Sequence, residues 1–416
     1  MNADRVIFGE NCIYSTDCQE TQLNNNVVVC GSSGCGKTMS ISEPCLLETE
    51  HSSLIVTLSK QKLPKKYTPL FRKRGYRVLT LDFAQPKNST AAYDPLAYIA
   101  SYRDITFLAE ALVKSDPKKT NANMDPFWDE AAVSLLSAEI AYIIAEREHP
   151  TFADVLDLHN SLEIEEVSSG IRTTLDSHFA ALAQKQPKCF AVTCWKSFRQ
   201  LPMRTAGCVY GTLNTTLDTL FTPELHRMIR KHESVDFARL GSEQTVLFVV
   251  TSAVNPALNR LIQVFYAQTF KQLFEAAERC GGGALPVPVR VLCDDFAVGG
   301  TIHQFHEYIS IFREKGISVT LLLQSESQLE SMYGPNNATT ILNNCDTYLY
   351  MGGMDLKTCR SVSERLDVPL DEVLSMPLGR VVVFRRGQPP IVTRRYDILR
   401  DKRYQQVTAQ YEKGER

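Results

Sequence analysis

The chain has 416 residues, of which 44% are hydrophobic and 22% charged, a balance typical of a soluble globular protein with one large or two moderate domains. Its 45 Lys and Arg against 47 Asp and Glu give a formal net charge of −2, which excludes a uniformly basic nucleic-acid-binding protein, so any DNA-binding surface must be local. We find neither a secretion signal nor a run of about 18 apolar residues, and we expect the twelve cysteines to be reduced thiols in the cytoplasm.

The first clear pattern along the chain begins after a turn signal at residues 24–26. Val27–Cys30 is short and apolar enough for a buried strand, the next eight residues match G-x-x-x-x-G-K-T, and Met39–Leu47 can continue as a helix, which together predict a P-loop. Glycines there let backbone N–H groups point at nucleotide phosphates, while Lys37 would reach the β- and γ-phosphates and Thr38 would hold Mg²⁺. The candidate nucleotide-binding residues are Gly31, Ser32, Ser33, Gly34, Cys35, Gly36, Lys37 and Thr38.

Two β-rich runs follow at residues 52–58 and 76–83, with a basic, helix-compatible segment between them. This alternation predicts an α/β domain with a mostly parallel, helix-flanked sheet. From residue 105 to about 226 the apolar residues instead recur at helical spacings, in the stretches 127–144, 156–162, 171–182 and 213–221. We therefore predict an all-helical subdomain inserted into the α/β domain.

The α/β pattern resumes with a strand at 244–251, a long helix at 258–280, and a strand at 289–293 that leads into Asp294 and Asp295. In a P-loop protein the first carboxylate would orient Mg²⁺ and the second would polarise an attacking water. Further strands are predicted at 317–323, 347–351 and 380–384. Gln324 follows the first of these at the carboxyl edge of the sheet, where its amide would either sense a γ-phosphate or cap a surface loop.

Taken together, these motifs resemble the type IV secretion coupling proteins of bacterial conjugation over residues 25–396. The matching motifs are Asn25–Thr38, Tyr93–Leu96, Phe127-Trp128, Asp294–Ala297 with Gly299, Arg313, Gly316–Ser318, Leu323–Ser325, Gln328-Leu329, Tyr333-Gly334, Asn343–Cys345 and Gly352-Gly353. The resemblance implies a RecA-like ATPase that uses ATP and Mg²⁺, with Thr38 and Asp294 at the metal. It implies a nucleotide-binding domain made of residues 1–104 and 227–416, the latter ending in a basic tail, and an inserted helical domain at 105–226.

The catalytic residues implied by the resemblance are Lys37, Asp294, Asp295, Arg313 and Gln324. Family members form hexameric rings and bind single- and double-stranded DNA without sequence preference. They bring relaxase-bound DNA to a secretion channel at the inner face of the bacterial membrane. By this resemblance, Arg313 would reach the γ-phosphate of a neighbouring subunit, Gln324 would sense the nucleotide, and the helical insert would meet DNA and the relaxosome.

The sequence departs from the family pattern in three ways. Family members usually begin with transmembrane helices, which this sequence lacks, so we expect a form without that anchor. The usual Asp-Glu pair is Asp294-Asp295 here, and a shorter side chain at residue 295 would hold its carboxylate about 1 Å short of the attacking water, a displacement that can cost on the order of a hundredfold in rate. After the second strand the family has Asp-Pro-Lys-Gly-Glu, whereas this chain has Leu58–Lys62.

These departures leave two functions open. The first is a DNA-stimulated ATPase that drives conjugative DNA transfer. The second is a nucleotide-binding adaptor that docks a relaxase or other protein substrates with little or no ATP hydrolysis. A small-molecule kinase on the same P-loop is disfavoured by the large helical insert.

Overall fold

The computed structural model describes residues 3–59, 61–114, 126–168, 170–231, 233–251, 256–294, 296 and 301–414. Its strands are β1 (Arg5–Gly9), β2 (Cys12–Ser15), β3 (Val27–Cys30), β4 (Ser53–Leu58), β5 (Arg77–Asp82), β6 (Ile164–Val167), β7 (Gly170–Thr173), β8 (Thr245–Val250), β9 (Val289–Cys293), β10 (Ile317–Leu323), β11 (Thr347–Tyr350), β12 (Arg380–Arg385) and β13 (Ile391–Arg394). The predicted strands of the α/β domain are all present, with bounds that match the prediction or differ from it by one residue at either end.

The helices before β8 are α1 (Cys18–Thr21), α2 (Glu43–Glu48), α3 (Lys62–Lys73), α4 (Tyr102–Lys114), α5 (Phe127–Glu146), α6 (Phe152–Asn160), α7 (Asp176–Lys185), α8 (Phe190–Arg199), α9 (Met203–Leu220), α10 (Pro223–Lys231) and α11 (Phe237–Leu240). Those after it are α12 (Pro256–Arg279), α13 (Phe305–Lys315), α14 (Glu326–Asn343), α15 (Leu356–Leu366), α16 (Leu370–Leu374) and α17 (Lys402–Gly414). Among the residues described, none of these helices is both long and apolar enough to cross a membrane.

In the described part of the chain, the central sheet has nine strands in the order β13-β12-β11-β3-β10-β9-β4-β8-β5. The strands from β11 to β5 are parallel, and β12 and β13 add an antiparallel hairpin at one edge. The P-loop strand β3 lies between β10 and β11, with Cys30 level with Leu323 and Tyr350. Because parallel strands end at the same edge, the residues that follow β3, β9, β10 and β11 meet there.

Both faces of the sheet are buried, as expected for a parallel sheet with crossover helices on each side. On β3, Val28 and Cys30 pack into an apolar cluster that continues through α12 and into the helical segment, whereas Val27 and Val29 pack on the opposite side against α2, α3 and α17. Successive side chains of a strand point to opposite faces, and both faces are buried here, which explains why β3 is a continuous apolar run in sequence.

The segment predicted as an all-helical insert also contains a β-hairpin, so the prediction of pure helix was wrong there. The strands β6 and β7 pair antiparallel, and β7 occupies part of the stretch 171–182 that was predicted to be helical. In β7 the residues Ile171 and Thr173 are buried, whereas Gly170 and Arg172 are exposed. Buried and exposed residues alternate here with the period of two that is typical of a strand. The longer stretch was predicted as a helix because its apolar residues also recur at helical spacings.

Three strands at the chain ends were not predicted. The hairpin of β1 and β2 lies near the start of the chain, and its turn residue Glu10 donates a backbone hydrogen bond to the carbonyl oxygen of Arg394, which ends β13. The strand β13 has exposed residues at three of its four positions, because it forms the sheet edge. Contacts between the two chain ends therefore shape this side of the molecule.

Candidate nucleotide-binding site

The P-loop is held at the carboxyl edge of the sheet by the two strands that flank β3. The backbone N–H of Gly31 donates to the carbonyl oxygen of Leu323 at 3.1 Å, and that of Ser32 donates to the carbonyl oxygen of Gly352 at 2.9 Å. Gly34 and Gly36 then adopt φ values of +80° and +93°, which side chains with a Cβ rarely tolerate. The glycines predicted from the motif are therefore required by the backbone of this loop.

The helix after the P-loop begins with a wide turn. Thr38–Ser42 forms a π-helical turn in which the N–H of Glu43 donates to the carbonyl oxygen of Thr38, and α2 continues from there. Single π-helical turns inside helices are frequent at functional sites. The N-terminus of this helix carries partial positive charge next to the loop, which suits phosphate groups.

Lys37 is buried, and its ammonium group bonds to the loop itself. The Nζ atom donates to the carbonyl oxygens of Gly31 and Ser32, the latter at 3.1 Å. A phosphate group bound in the loop would offer charge-assisted hydrogen bonds to the same ammonium, and these are stronger than bonds to neutral carbonyls. Lys37 therefore lies within the loop that would hold the phosphates, and its role there stays a prediction.

Thr38 and Asp294, the two predicted metal ligands, are brought into contact although 256 residues separate them. The Thr38 hydroxyl donates to Oδ2 of Asp294 at 3.0 Å. One hydroxyl and one carboxylate are hard oxygen donors, and Mg²⁺ in nucleotide sites takes few protein ligands and completes its shell with phosphate oxygens and water. These two residues therefore fit Mg²⁺ shared with a nucleotide. The described residues hold no group of three or more His, Cys, Asp or Glu that could form a protein-only metal cage.

A buried polar network lies directly beneath Asp294. Tyr266 on α12 hydrogen bonds to Thr57 at the end of β4, and Tyr266 also interacts with the thiol of Cys293. Burial raises the pKa of the Cys293 thiol to about 12, although the hydrogen bond from Tyr266 acts against this, so the thiol is neutral near pH 7. The neutral thiol therefore adds no negative charge next to Asp294.

Gln324 lies where it was predicted, directly after β10 at the edge that carries the P-loop. Its backbone N–H donates to Oε1 of Gln328 at 3.0 Å, and the Gln324 side chain is exposed. The described geometry therefore leaves the amide accessible to a ligand on the P-loop. Asp295, predicted as the second carboxylate, lies outside the described residues.

Arg313 is not part of this cluster. It is exposed on the last turn of α13, four residues before β10 begins, and its charge acts on Cys18 of α1. Since β10 has seven residues and therefore spans roughly 23 Å, Arg313 lies at the opposite edge of the sheet from Thr38. Arg313 is therefore too far away to contact a ligand in the P-loop of its own chain.

Sequence reasoning missed a second wall of the site, which comes from the C-terminal region. The guanidinium Nη1 of Arg395 donates to the carbonyl oxygen of Cys35 at 3.0 Å, and a Cβ at residue 36 would clash with the same Nη1 atom. A cavity of about 840 Å³ opens between the P-loop and this region. Arginines near the C-terminus were visible in the sequence, but no local pattern linked them to a loop 360 residues away.

Solved structures of other proteins share this fold. The structure is similar to the bacterial conjugative coupling protein TrwBdeltaN70 in complex with sulphate, with a TM-score of 0.64 and 15% identity, over 95% of this chain and 94% of that one. It is also similar to plasmid coupling protein TrwB in complex with the ATP analogue ADPNP, with a TM-score of 0.65 and 14% identity, over 89% and 85% of the two chains.

A third similar structure is VirB4 of Thermoanaerobacter pseudethanolicus, with a TM-score of 0.56 and 12% identity over 95% of this chain and 97% of that one. These likenesses establish the fold, which is that of a RecA-like P-loop NTPase. No curated protein sequence matches the chain. The model of the family described as type IV secretory system conjugative DNA transfer, however, matches residues 2–368, and the chain therefore belongs to this family of conjugative coupling proteins.

Proposed function

We propose that this protein binds and hydrolyses ATP with Mg²⁺, and that the cycle recruits relaxase-bound DNA and drives it through a type IV secretion channel. The observation that carries the proposal is the contact of 3.0 Å between Thr38 Oγ1 and Asp294 Oδ2, directly below a P-loop that contains Lys37. TrwB has been solved with ADPNP, with GDPNP, and with ADP and Mg²⁺, which supports a nucleotide site on the same fold here.

In this proposal, each residue of the site has a separate task. Lys37 exchanges its bonds to the Gly31 and Ser32 carbonyls for bonds to the β- and γ-phosphates. Thr38 and Asp294 hold Mg²⁺, which when bound stabilises the charge that develops on the transferred phosphoryl group. Asp295 polarises the attacking water, and the exposed amide of Gln324 contacts the γ-phosphate.

The position of Arg313 supports action on a neighbouring subunit. It is exposed at the amino edge of the sheet, and the length of β10, roughly 23 Å, separates that edge from the P-loop of its own chain, so it can stabilise a γ-phosphate in a P-loop only across an interface. We propose a homo-hexameric ring in which each Arg313 completes the site of the next subunit. Basic residues facing the channel would grip DNA phosphates by charge and therefore without reading sequence.

The test is steady-state ATP hydrolysis with Mg²⁺, in the presence and absence of single-stranded DNA. We expect DNA to stimulate hydrolysis in the wild type, Lys37→Ala to abolish it, and Lys73→Ala, which changes an exposed lysine at the end of α3, to have no effect. The DNA affinity should fall steeply between about 50 and 200 mM salt. Hydrolysis that is unaffected by Lys37→Ala, or DNA affinity that is insensitive to salt, would contradict the proposal.

The adaptor function remains the second candidate, because Asp295 stands where the family has Glu, and Leu58 and Lys62 stand where it has Asp and Glu. The variant Asp295→Glu separates the two candidates by restoring the usual pair. A rise in hydrolysis of on the order of a hundredfold over a near-zero wild-type rate would indicate an adaptor with a degenerate site. Wild-type turnover that Asp295→Glu does not increase would indicate that Asp295 already serves in a working ATPase.

A further inference from the structure

We propose that Asp94 positions the predicted helical insert on the nucleotide-binding domain, and that nucleotide binding at the P-loop is transmitted to the insert through this residue. The inference rests on the proposed function, because it assumes that Mg-ATP binds beside Asp294. It gives a task to the motif Tyr93–Leu96, which lies outside the nucleotide site.

A single carboxylate oxygen of Asp94 joins two parts of the chain. Oδ1 accepts the backbone N–H of Leu96 at 2.9 Å and that of Phe152 at 3.0 Å. Leu96 belongs to the segment that follows β5 in the nucleotide-binding domain, whereas Phe152 is the first residue of α6 in the insert. The first N–H groups of a helix have no partner within the helix, so Asp94 supplies an acceptor for α6 from outside the insert.

Asp94 is buried at this junction, with 6% of its surface exposed. Burial raises the pKa of the Asp94 carboxyl to about 6; the N–H groups of Leu96 and Phe152 act against this change, and the charge of Asp154 adds to it. The carboxyl is therefore mostly ionised at about pH 7.5, and charge-assisted hydrogen bonds are stronger than neutral ones. Removing this acceptor would leave two buried N–H groups without their partner, which makes the contact costly to lose.

The chain returns from the insert directly beside Asp94. The backbone N–H of Asp94 donates to Oγ of Ser234 at 3.1 Å. The N–H of Ala92 donates to the carbonyl oxygen of Glu233 at 2.9 Å, and the N–H of Val235 donates to the carbonyl oxygen of Ala92 at 3.0 Å. The residues before and after the insert are therefore bonded to each other where Asp94 bonds to α6.

The long helix α12 connects this junction to the nucleotide site. Tyr93 Oη donates to Oε1 of Gln268 at 2.6 Å, and Nε2 of Gln268 donates to the carbonyl oxygen of Pro95 at 3.0 Å. Two residues earlier on α12, Tyr266 interacts with the thiol of Cys293, the last residue of β9. Residues two positions apart lie about 200° apart around a helix, so α12 contacts the end of β9 on one face and the Asp94 motif on the other.

This arrangement gives nucleotide binding a route to the insert. Mg-nucleotide held by Thr38 and Asp294 fixes the end of β9, and with it the face of α12 that packs there. A ligand that binds one arrangement of the protein stabilises the contacts made in that arrangement. Asp94 is the residue through which α6 takes part in it. The start of α6 should therefore open less often when Mg-ATP is bound.

Hydrogen exchange of backbone amides measures this coupling in the native protein. Peptides that cover α6 are compared with and without saturating Mg-ATP. In the wild type, Mg-ATP should slow exchange in α6 about fivefold or more, since coupling between two sites is usually of this size or larger. Asp94→Ala should bind Mg-ATP about as tightly as the wild type, because Asp94 is not part of the nucleotide site, but exchange in its α6 should not respond to the ligand.

Further variants separate coupling from stability. Asp94→Asn keeps an oxygen acceptor at the same position and should retain the response to Mg-ATP. The matched control is Asp236→Ala, whose carboxylate lies near the same junction but accepts the N–H of Arg239 within α11, and it should respond as the wild type does. If Asp94→Ala does not fold, Tyr93→Phe is the test, because it removes only the hydroxyl that bonds to Gln268 and should reduce the slowing about twofold or more.

A role in stability alone predicts that Asp94→Ala exchanges faster in α6 but keeps the wild-type response to Mg-ATP, and this result would overturn the inference. A wild type that binds and hydrolyses ATP while exchange in α6 does not change contradicts the inference and leaves the proposed function intact. A response that depends on Asp94 in a protein that hydrolyses nothing supports the inference and contradicts the motor. If Mg-ATP does not bind the wild type, both are wrong.

Discussion

The two edges of the central sheet carry similar polar groups but satisfy them in opposite ways. At the amino edge, the buried carboxylate of Asp4 accepts backbone hydrogen bonds from Glu50, His51 and Ser52 and pairs with buried Arg290. At the carboxyl edge, Lys37 bonds to carbonyls of its own loop, Thr38 and Asp294 are partly buried and bond to each other, and Gln324 is exposed. One edge therefore uses its charges for stability, whereas the other keeps them available for a ligand.

The largest effect should come from removing the buried carboxylate of Asp4 at the amino edge. Asp4→Ala leaves the Arg290 guanidinium buried without its carboxylate and removes the acceptor for three backbone N–H groups, which should lower the free energy of unfolding by about 3–5 kcal/mol. Urea unfolding measures the change. Asp17→Ala is the matched control, because this carboxylate also accepts two backbone bonds but is only partly buried, so its loss should cost about 1 kcal/mol. Equal losses in both variants would contradict the contrast between the edges.

At the carboxyl edge, Asp294→Asn should affect ligand binding instead of stability. It removes the charge that Mg²⁺ requires, so Mg-ATP affinity should fall about ten- to hundredfold, whereas ATP affinity in EDTA should be unchanged. Titration calorimetry with and without Mg²⁺ measures both values. The control is Asp355→Asn at the N-terminus of α15, which should keep the wild-type dependence on Mg²⁺. If the ATP affinity of the wild type does not depend on Mg²⁺, the assignment of Asp294 as a Mg²⁺ ligand is contradicted.

The ion pair at the amino edge should also make the stability of the folded protein fall at low pH. Burial acts to raise the pKa of Asp4, but Arg290 and the backbone hydrogen bonds outweigh it and lower the pKa below its usual value. The stability contributed by Asp4 is therefore fully present above about pH 4, its ordinary pKa, and is lost as the pH falls through the lowered pKa of the folded state. The loss should be a fraction of that in Asp4→Ala, since a protonated carboxyl still accepts hydrogen bonds.

Urea unfolding as a function of pH tests this effect. Asp4→Asn cannot titrate at this position, so its stability should fall less than that of the wild type below about pH 4. Curves that stay parallel down to about pH 2 would show that Asp4 does not cause the fall in stability.

The smallest effect on binding should come from Gln324→Ala. The amide is exposed, so its removal should change ATP affinity by less than about threefold, while hydrolysis should fall by about tenfold if the amide contacts the γ-phosphate in the transition state. Gln328→Ala controls for loop geometry, because its Oε1 atom accepts the backbone N–H of Gln324. Equal losses of hydrolysis in the two variants would assign the effect to the loop.

Local sequence patterns were sufficient for the parts of the site that lie at strand ends. The P-loop, Asp294 and Gln324 each follow an apolar run directly, and parallel pairing brings such residues to one edge. The hairpin in the insert was missed because the four residues of β7 lie within a longer stretch that also fits a helix. The contact of Arg395 with Cys35 could not be predicted, since β13 has only four residues, three of them exposed, and only tertiary pairing brings this segment to the loop.

The central claim is that the carboxyl edge binds Mg-nucleotide through Lys37, and ligand-linked stability tests it most directly. The free energy of unfolding should rise by about 2.7 kcal/mol for the wild type when Mg-ATP is present at about 100 times its Kd. At the same concentration, Lys37→Ala should gain only about 0.4 kcal/mol if its affinity is about a hundredfold lower. No gain in the wild type, or the same gain in Lys37→Ala, would contradict the claim.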